Sequence, residues 1–120
     1  MLNKKQKLRA KADKLFKETI LARYNATCEV CGGKWKVTAH HYYYRSSAGH
    51  LRYNLNNGIC LCGFCHSKLH FKDLKLVEDK IIAHRGKRWL TGLKKQAQEK
   101  QKPSYQSVAY YTKVVENLSN

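Results

Sequence analysis

The sequence predicts a small α+β protein: a β-hairpin followed by a short helix, preceded by one basic helix and trailed by further helices. Three observations predict it. Apolar residues recur at helical spacing at both ends of the chain. Between them, Thr27–Phe71 changes texture to Cys, His, Tyr, Gly and Asn and contains short β-prone runs. Two C-x2-C pairs lie within that stretch, one near its start and one near its end.

Over residues 1–24, Leu8, Ala12, Leu15, Phe16, Thr19, Ile20 and Tyr24 share one face of a helix, and lysines and arginines fill the other. Such basic faces serve both as solvated backs of packing helices and as phosphate contacts. Strands are predicted at Trp35–Ala39 and Ile59–Leu61, with turns at Gly32-Gly33 and Asn56-Asn57-Gly58. A short helix begins just after Cys62 and carries Cys65, His66, Leu69 and His70. Leu74, Val77 and Ile81 mark a third helix that reaches His84 and ends at Arg85-Gly86 with a glycine cap. A fourth covers Trp89–Gln101, Pro103-Ser104 interrupts the run, and Val108, Tyr111, Val115 and Leu118 mark a last helix. One domain, 1–120, is expected, made of the basic helix (1–26), the cysteine-bracketed core (27–72) and a helical extension (73–120).

Lys and Arg number 24 against 8 Asp and Glu, a net charge of +16 that a compact chain tolerates best against a polyanion. DNA is therefore the expected partner. Mean hydropathy is −0.66, and no apolar run is long enough to span a bilayer, so no membrane partner is expected. Lysines and arginines interrupt residues 1–21 too often for a secretion signal, so a cytoplasmic location is expected, in the host if the gene is a phage's. In that reducing compartment the five cysteines are better metal ligands than disulfide partners.

Cys28-Glu29-Val30-Cys31 and Cys62-Gly63-Phe64-Cys65 are separated by 30 residues. Each C-x2-C turn can present two sulfurs to one ion, and four thiolates satisfy tetrahedral Zn²⁺ with no open position. A structural zinc is expected at Cys28, Cys31, Cys62 and Cys65, and Cys60, outside the register, is read as a small buried side chain.

Between the knuckles stands His40-His41, and His66 and His70 follow the second at i, i+4 on one helical face. Neighbouring strand residues point to opposite sides, so His40 and His41 are expected to do different things. Together Cys28-x2-Cys31, His40-His41, Asn57, Cys62-x2-Cys65 and His66 resemble, in order and spacing over Cys28–His70, the HNH endonucleases of the ββα-metal class. The resemblance implies that His40, His66 and His70 hold a catalytic metal and that His41 is the general base. It also implies that Asn57, at the N-x4-C position, pins the loop carrying the base, and that cleavage leaves 5′-phosphate and 3′-hydroxyl ends.

The residue types suit that chemistry independently of the family. Phosphodiester hydrolysis needs a base for water, a cation for the crowded phosphorus and leaving oxygen, and a basic surface for the backbone. No Asp or Glu lies between Val30 and Lys72, so imidazoles must dominate any catalytic metal site there. Such a site favours Zn²⁺, Ni²⁺, Co²⁺ or Mn²⁺ over Mg²⁺, although phosphates and waters can complete a magnesium shell. Arg45, Arg52 and Lys68 are candidate DNA contacts. No small-molecule cofactor is expected, and no coiled-coil seam announces a dimer. The helical layout after the core and the run Leu51-Arg52-Tyr53-Asn54 also resemble, more distantly, NinG-type recombination endonucleases of lambdoid phages. That second resemblance implies a role in phage DNA recombination on branched or single-strand-containing DNA. The expected activity is metal-dependent DNA cleavage, and the alternative is a non-catalytic zinc-stabilised DNA-binding protein.

Overall fold

The structure is a computed structural model that describes residues 1–43, 49–71, 74–99 and 103–119, with the backbone alone for 69–71, 74, 103 and 104. Among these residues it is a small α+β fold. Helix α1 (Lys4–Arg23) leads to an antiparallel strand pair, β1 (Thr38–His41) and β2 (Gly58–Leu61), followed by α2 (Gly63–Phe71), α3 (Leu74–Arg85), α4 (Lys87–Ala97) and α5 (Val108–Ser119). Short 3-10 turns lie at Gly49–Leu51, Leu55–Asn57 and Pro103–Gln106.

Helix α1 starts where the sequence can satisfy its free N–H groups. Asn3 Oδ1 accepts from Gln6 N at 2.8 Å and Gln6 Oε1 accepts from Asn3 N at 3.0 Å, a reciprocal capping box. Ala12, Phe16 and Ile20, spaced by four, are its buried stripe. The helix ends as Asn25 (φ 55) and Ala26 (φ 49) turn the chain left-handed toward the first cysteine knuckle. Farther along the chain, Gly86 (φ 95) donates to Ile82 O at 2.7 Å, closing α3 with the predicted glycine cap before α4 begins at once.

The sheet register pairs Thr38 with Leu61, Ala39 with Cys60, His40 with Ile59 and His41 with Gly58. Every residue of β2 is buried, because helices cover both of its faces. One face joins Ala39 and Cys60 to Phe16 and Ile20 of α1 and to Tyr111 and Val114 of α5. The other joins Ile59 and Leu61 to Val77 and Ile81 of α3 and to the cysteines. Leu51 and Leu93 form a smaller cluster beside Tyr42 and Trp89. Two-residue alternation therefore sends His40 toward α2 and α3 and His41 toward α1.

The first strand lies three residues later than its sequence pattern predicts. Lys36 (φ 46) is left-handed, and Trp35 O accepts from Gly63 N at 3.1 Å, so both residues belong to the knuckle. Helix α4 starts two residues before Trp89 and ends at Ala97, earlier than its predicted end.

Candidate functional site

Four sulfurs converge where the N-terminus of α2 meets the knuckle after α1. The Sγ atoms of Cys28, Cys31, Cys62 and Cys65 all lie within 4.8 Å of one another, with Cys31 and Cys62 at 3.5 Å. Tetrahedral zinc with bonds of about 2.3 Å needs sulfur separations of about 3.8 Å, so these four cysteines fit a metal ion such as zinc. The local chain prepares the set: Gly32 (φ 74) tightens the first knuckle, Gly33 N donates to Cys31 Sγ at 3.4 Å, and Cys65 N donates to Cys62 Sγ at 3.5 Å. Burial opposes ionisation of Cys28, but the backbone N–H groups of Cys31, Cys62 and Val30 prevail and draw its thiol down to about 7. Burial, then the hydrogen bonds with Cys62, Cys28 and Cys31, push Cys65 upward. Cys60 is fully buried and its thiol is lifted to about 11, chiefly by burial, which suits an inert core residue.

A carboxylate supports this staple. Glu29, inside the first knuckle, keeps its side chain 1% exposed. Arg85 at the end of α3 grips it bidentately, Nε to Oε1 at 2.7 Å and Nη2 to Oε2 at 2.8 Å. Cys60 N also donates to Oε2, and His84 Nδ1 lies 3.3 Å from Oε1. Arg85 further donates to the carbonyls of Gly58 and Asn56, tying α3 to the start of β2. Neither residue stands out by motif. The one sequence signal is that Glu29 is the sole acid between Thr27 and Lys72, in a basic segment where a carboxylate readily finds a partner.

The histidines separate as the strand alternation requires. His40 meets His66 of α2 in a ring stack, centroids 4.0 Å apart and 19° from parallel. Imidazole is a transition-metal donor, and the stack brings the two expected ligands side by side. His40 Nε2 shares a 2.6 Å hydrogen bond with Thr38 Oγ1, which orients its ring. The backbone of His70 continues α2, and its side chain, the expected third ligand, lies outside the described residues, as does all of Arg45.

His41 stands on the opposite face. Its ring stacks on Phe16 of α1 at 4.9 Å and 3°, and Nε2 donates to the carbonyl of Arg52 at 2.8 Å. That bond keeps the proton on Nε2 and places the lone pair of the neutral ring on Nδ1. Gly58, paired with His41, is small for a reason: a Cβ there would sit in the Ile20 side chain and 3.0 Å from Phe16 Cζ. Only glycine lets α1 press this closely beneath the histidine.

Asn57 is fully buried at the end of the turn before β2. Its Oδ1 accepts from Tyr43 N at 2.8 Å, and its Nδ2 donates to Tyr43 O at 3.1 Å and to Leu51 O at 3.3 Å. Two successive carbonyls of one turn, Leu51 and Arg52, thus serve Asn57 and His41 in succession. The loop leaving His41 and the turn that holds its ring are fastened by one amide.

Arg52, an expected DNA contact, has an acidic partner within the fold. Its guanidinium forms a bidentate pair with Asp13 of α1, at 2.8 and 2.6 Å, and Tyr53 OH also donates to that carboxylate at 2.9 Å. The pairing brings the turn that carries the Arg52 carbonyl onto α1. Lys68 is exposed on α2, as are Lys4, Lys5, Lys7, Lys11, Lys14 and Lys17 on α1. His50 donates from Nε2 to Gln96 O, so it packs against α4. Tyr42 meets the Trp89 ring edge to face at 5.1 Å, and burial raises its phenol to about 12.

No described helix is long and apolar enough to cross a membrane. Comparison of the chain with protein-family models, with curated proteins and with solved structures found no match.

Proposed function

We propose that the protein is a metal-dependent DNA endonuclease of the HNH type, in which His41 activates water and His40 and His66, with His70, hold the catalytic ion. One observation carries the reading: neighbouring residues of one strand are committed to two different environments. His40 is paired with an imidazole of α2, and His41 is clamped between Phe16 and a carbonyl that dictates its tautomer.

In this reading Nδ1 of His41 removes a proton from water, and the water oxygen attacks phosphorus in line with the departing 3′-oxygen. Phe16 and the Arg52 carbonyl hold the ring in place. Asn57 fixes the loop on either side, so the base does not drift during the reaction. A divalent cation at His40 and His66 would neutralise charge on the phosphoryl and leaving oxygens. The lysines of α1 and Lys68 supply phosphate contacts, and the net charge of +16 favours a polyanion.

The test is plasmid cleavage by the zinc-loaded protein across Mg²⁺, Mn²⁺, Ni²⁺, Co²⁺ and Zn²⁺, with His41→Ala and His41→Gln alongside. Cleavage should need added metal and fall by about 10²–10⁴ in both variants while DNA binding persists. Unchanged cleavage in the variants removes His41 from the mechanism. Plasmid that is retarded in a gel but stays intact with every ion overturns the nuclease reading in favour of a zinc-stabilised binder.

A further inference from the structure

The Cys-rich staple carries a surface that the histidine chemistry does not use. Trp35 is 50% exposed and Phe64 is 64% exposed, and these are the only large aromatic side chains so displayed among the described residues. Their rings stack at 4.5 Å and 29°. The pair is mounted rather than loose. The indole lies against the first residue of α2, where a Cβ on Gly63 would come within 2.5 Å of it, and the Gly63 N–H holds the Trp35 carbonyl. Phe64 projects from the first turn of α2, between Cys62 and Cys65, so the metal-binding knuckle anchors it. Lys36, in its left-handed conformation, sets its ammonium 5.0 Å from the Trp35 centroid. Lys34 is exposed beside it, and Lys68, one helical turn after Phe64, is exposed on the same side of α2.

We infer that Trp35 and Phe64 form a stacking platform for an unpaired base of a DNA strand, with Lys34, Lys36 and Lys68 on the adjoining phosphates. A ring pair held in place with accessible surface and flanked by cations has the composition of a single-strand binding surface. Every base has a π face, so the platform is tolerant of sequence. It is intolerant of pairing, because bases inside a duplex already stack on each other and hide their faces. An apolar protein anchor would match the rings but not three lysines. The inference rests on DNA being the partner, and it adds where an unpaired nucleotide is held. Phe64 and His66 are two residues apart on α2 and point to different sides, so a strand on the platform lies beside the histidine cluster rather than in it.

The experiment is fluorescence anisotropy with the full zinc-loaded chain and no other divalent ion, so that cleavage plays no part. The probes are a labelled oligothymidylate and a labelled duplex of the same strand length. Trp35→Ala and Phe64→Ala should each weaken oligothymidylate binding by about 5- to 100-fold, the range set by loss of one base–aromatic stack. Duplex binding should stay within about twofold, and Trp35→Phe should recover most of the loss. Phe64→Ala keeps the test decisive if Trp35→Ala sheds its zinc, since Phe64 lies outside the loop that Trp35 closes. Unchanged single-strand affinity in zinc-loaded Phe64→Ala overturns the inference, as do equal losses on both probes. Self-association of the wild type that Trp35→Ala abolishes, with strand affinity unchanged, would overturn it and seat a second copy there. Failure of plasmid cleavage leaves these outcomes untouched, so the two readings fail separately.

Discussion

Removing the Asn57 amide should cost more than its single residue suggests. Asn57→Ala deletes hydrogen bonds of 2.8, 3.1 and 3.3 Å to the backbone of Tyr43 and Leu51. At about 1 kcal/mol net for each, the loss is about 3 kcal/mol, and leaving a buried N–H or carbonyl without a partner adds about 1–2 kcal/mol more. The expected destabilisation is therefore about 4–5 kcal/mol, a large share of the 5–15 kcal/mol that typically separates folded from unfolded chains. Urea denaturation of the zinc-loaded protein measures it, and amide hydrogen exchange locates it, since Tyr43 N should lose protection. Asn57→Asp should be no better than alanine, because a carboxylate keeps the acceptor for Tyr43 N but turns negative charge toward two carbonyls. A loss below about 1 kcal/mol with Tyr43 protection intact would refute the view that this amide fastens the loop.

Arg85→Ala should lower stability by about 3–5 kcal/mol in urea, because it strands the Glu29 carboxylate, only 1% exposed, without its guanidinium. Adding Glu29→Gln should recover part of that loss, and no recovery would mean that Arg85 acts through the Gly58 and Asn56 carbonyls instead. Cys28→Ser should lose the zinc measured by a chromogenic chelator and unfold the core, since binding energy in such sites is folding energy. A folded, metal-free Cys28→Ser protein would refute the staple. Burial lifts Cys60 from 9.0 to about 11, so the folded chain keeps a proton that the unfolded chain releases. That contribution is fully present below about pH 9 and is lost as pH rises toward 11. Denaturation midpoints of Cys60→Ala should fall less steeply than wild type over this window, and an identical slope would contradict it.

The parts legible in the sequence are those written in local periods. The Ala12, Phe16, Ile20 stripe announces α1, the C-x2-C pairs announce the sulfur cluster, and Arg85-Gly86 announces the end of α3. His40 and His41 face opposite ways because strand geometry leaves them no other option. The misplaced residues are those whose position is decided by distant partners. Trp35 looks like a strand residue until Gly63, far along the chain, offers its indole a seat. Arg52 and Asp13 are 39 positions apart and Glu29 and Arg85 are 56 apart, spacings no motif encodes. Long-range polar pairing of this kind is specified by the fold and not by neighbours in sequence.

The wall behind His41 also sets a timetable for synthesis. Phe16 shares its core with Tyr111 and Val114 of α5, so α1 leaves the ribosome well before the helix that packs it. Closing contacts between such distant segments is slow and comes late, whereas the cysteine knuckles and α3 can gather from shorter loops. A nascent chain that has exposed its knuckles but not α5 has no completed shelf under the histidine. Maturation of the His41 environment therefore waits until the chain has been made through Val114.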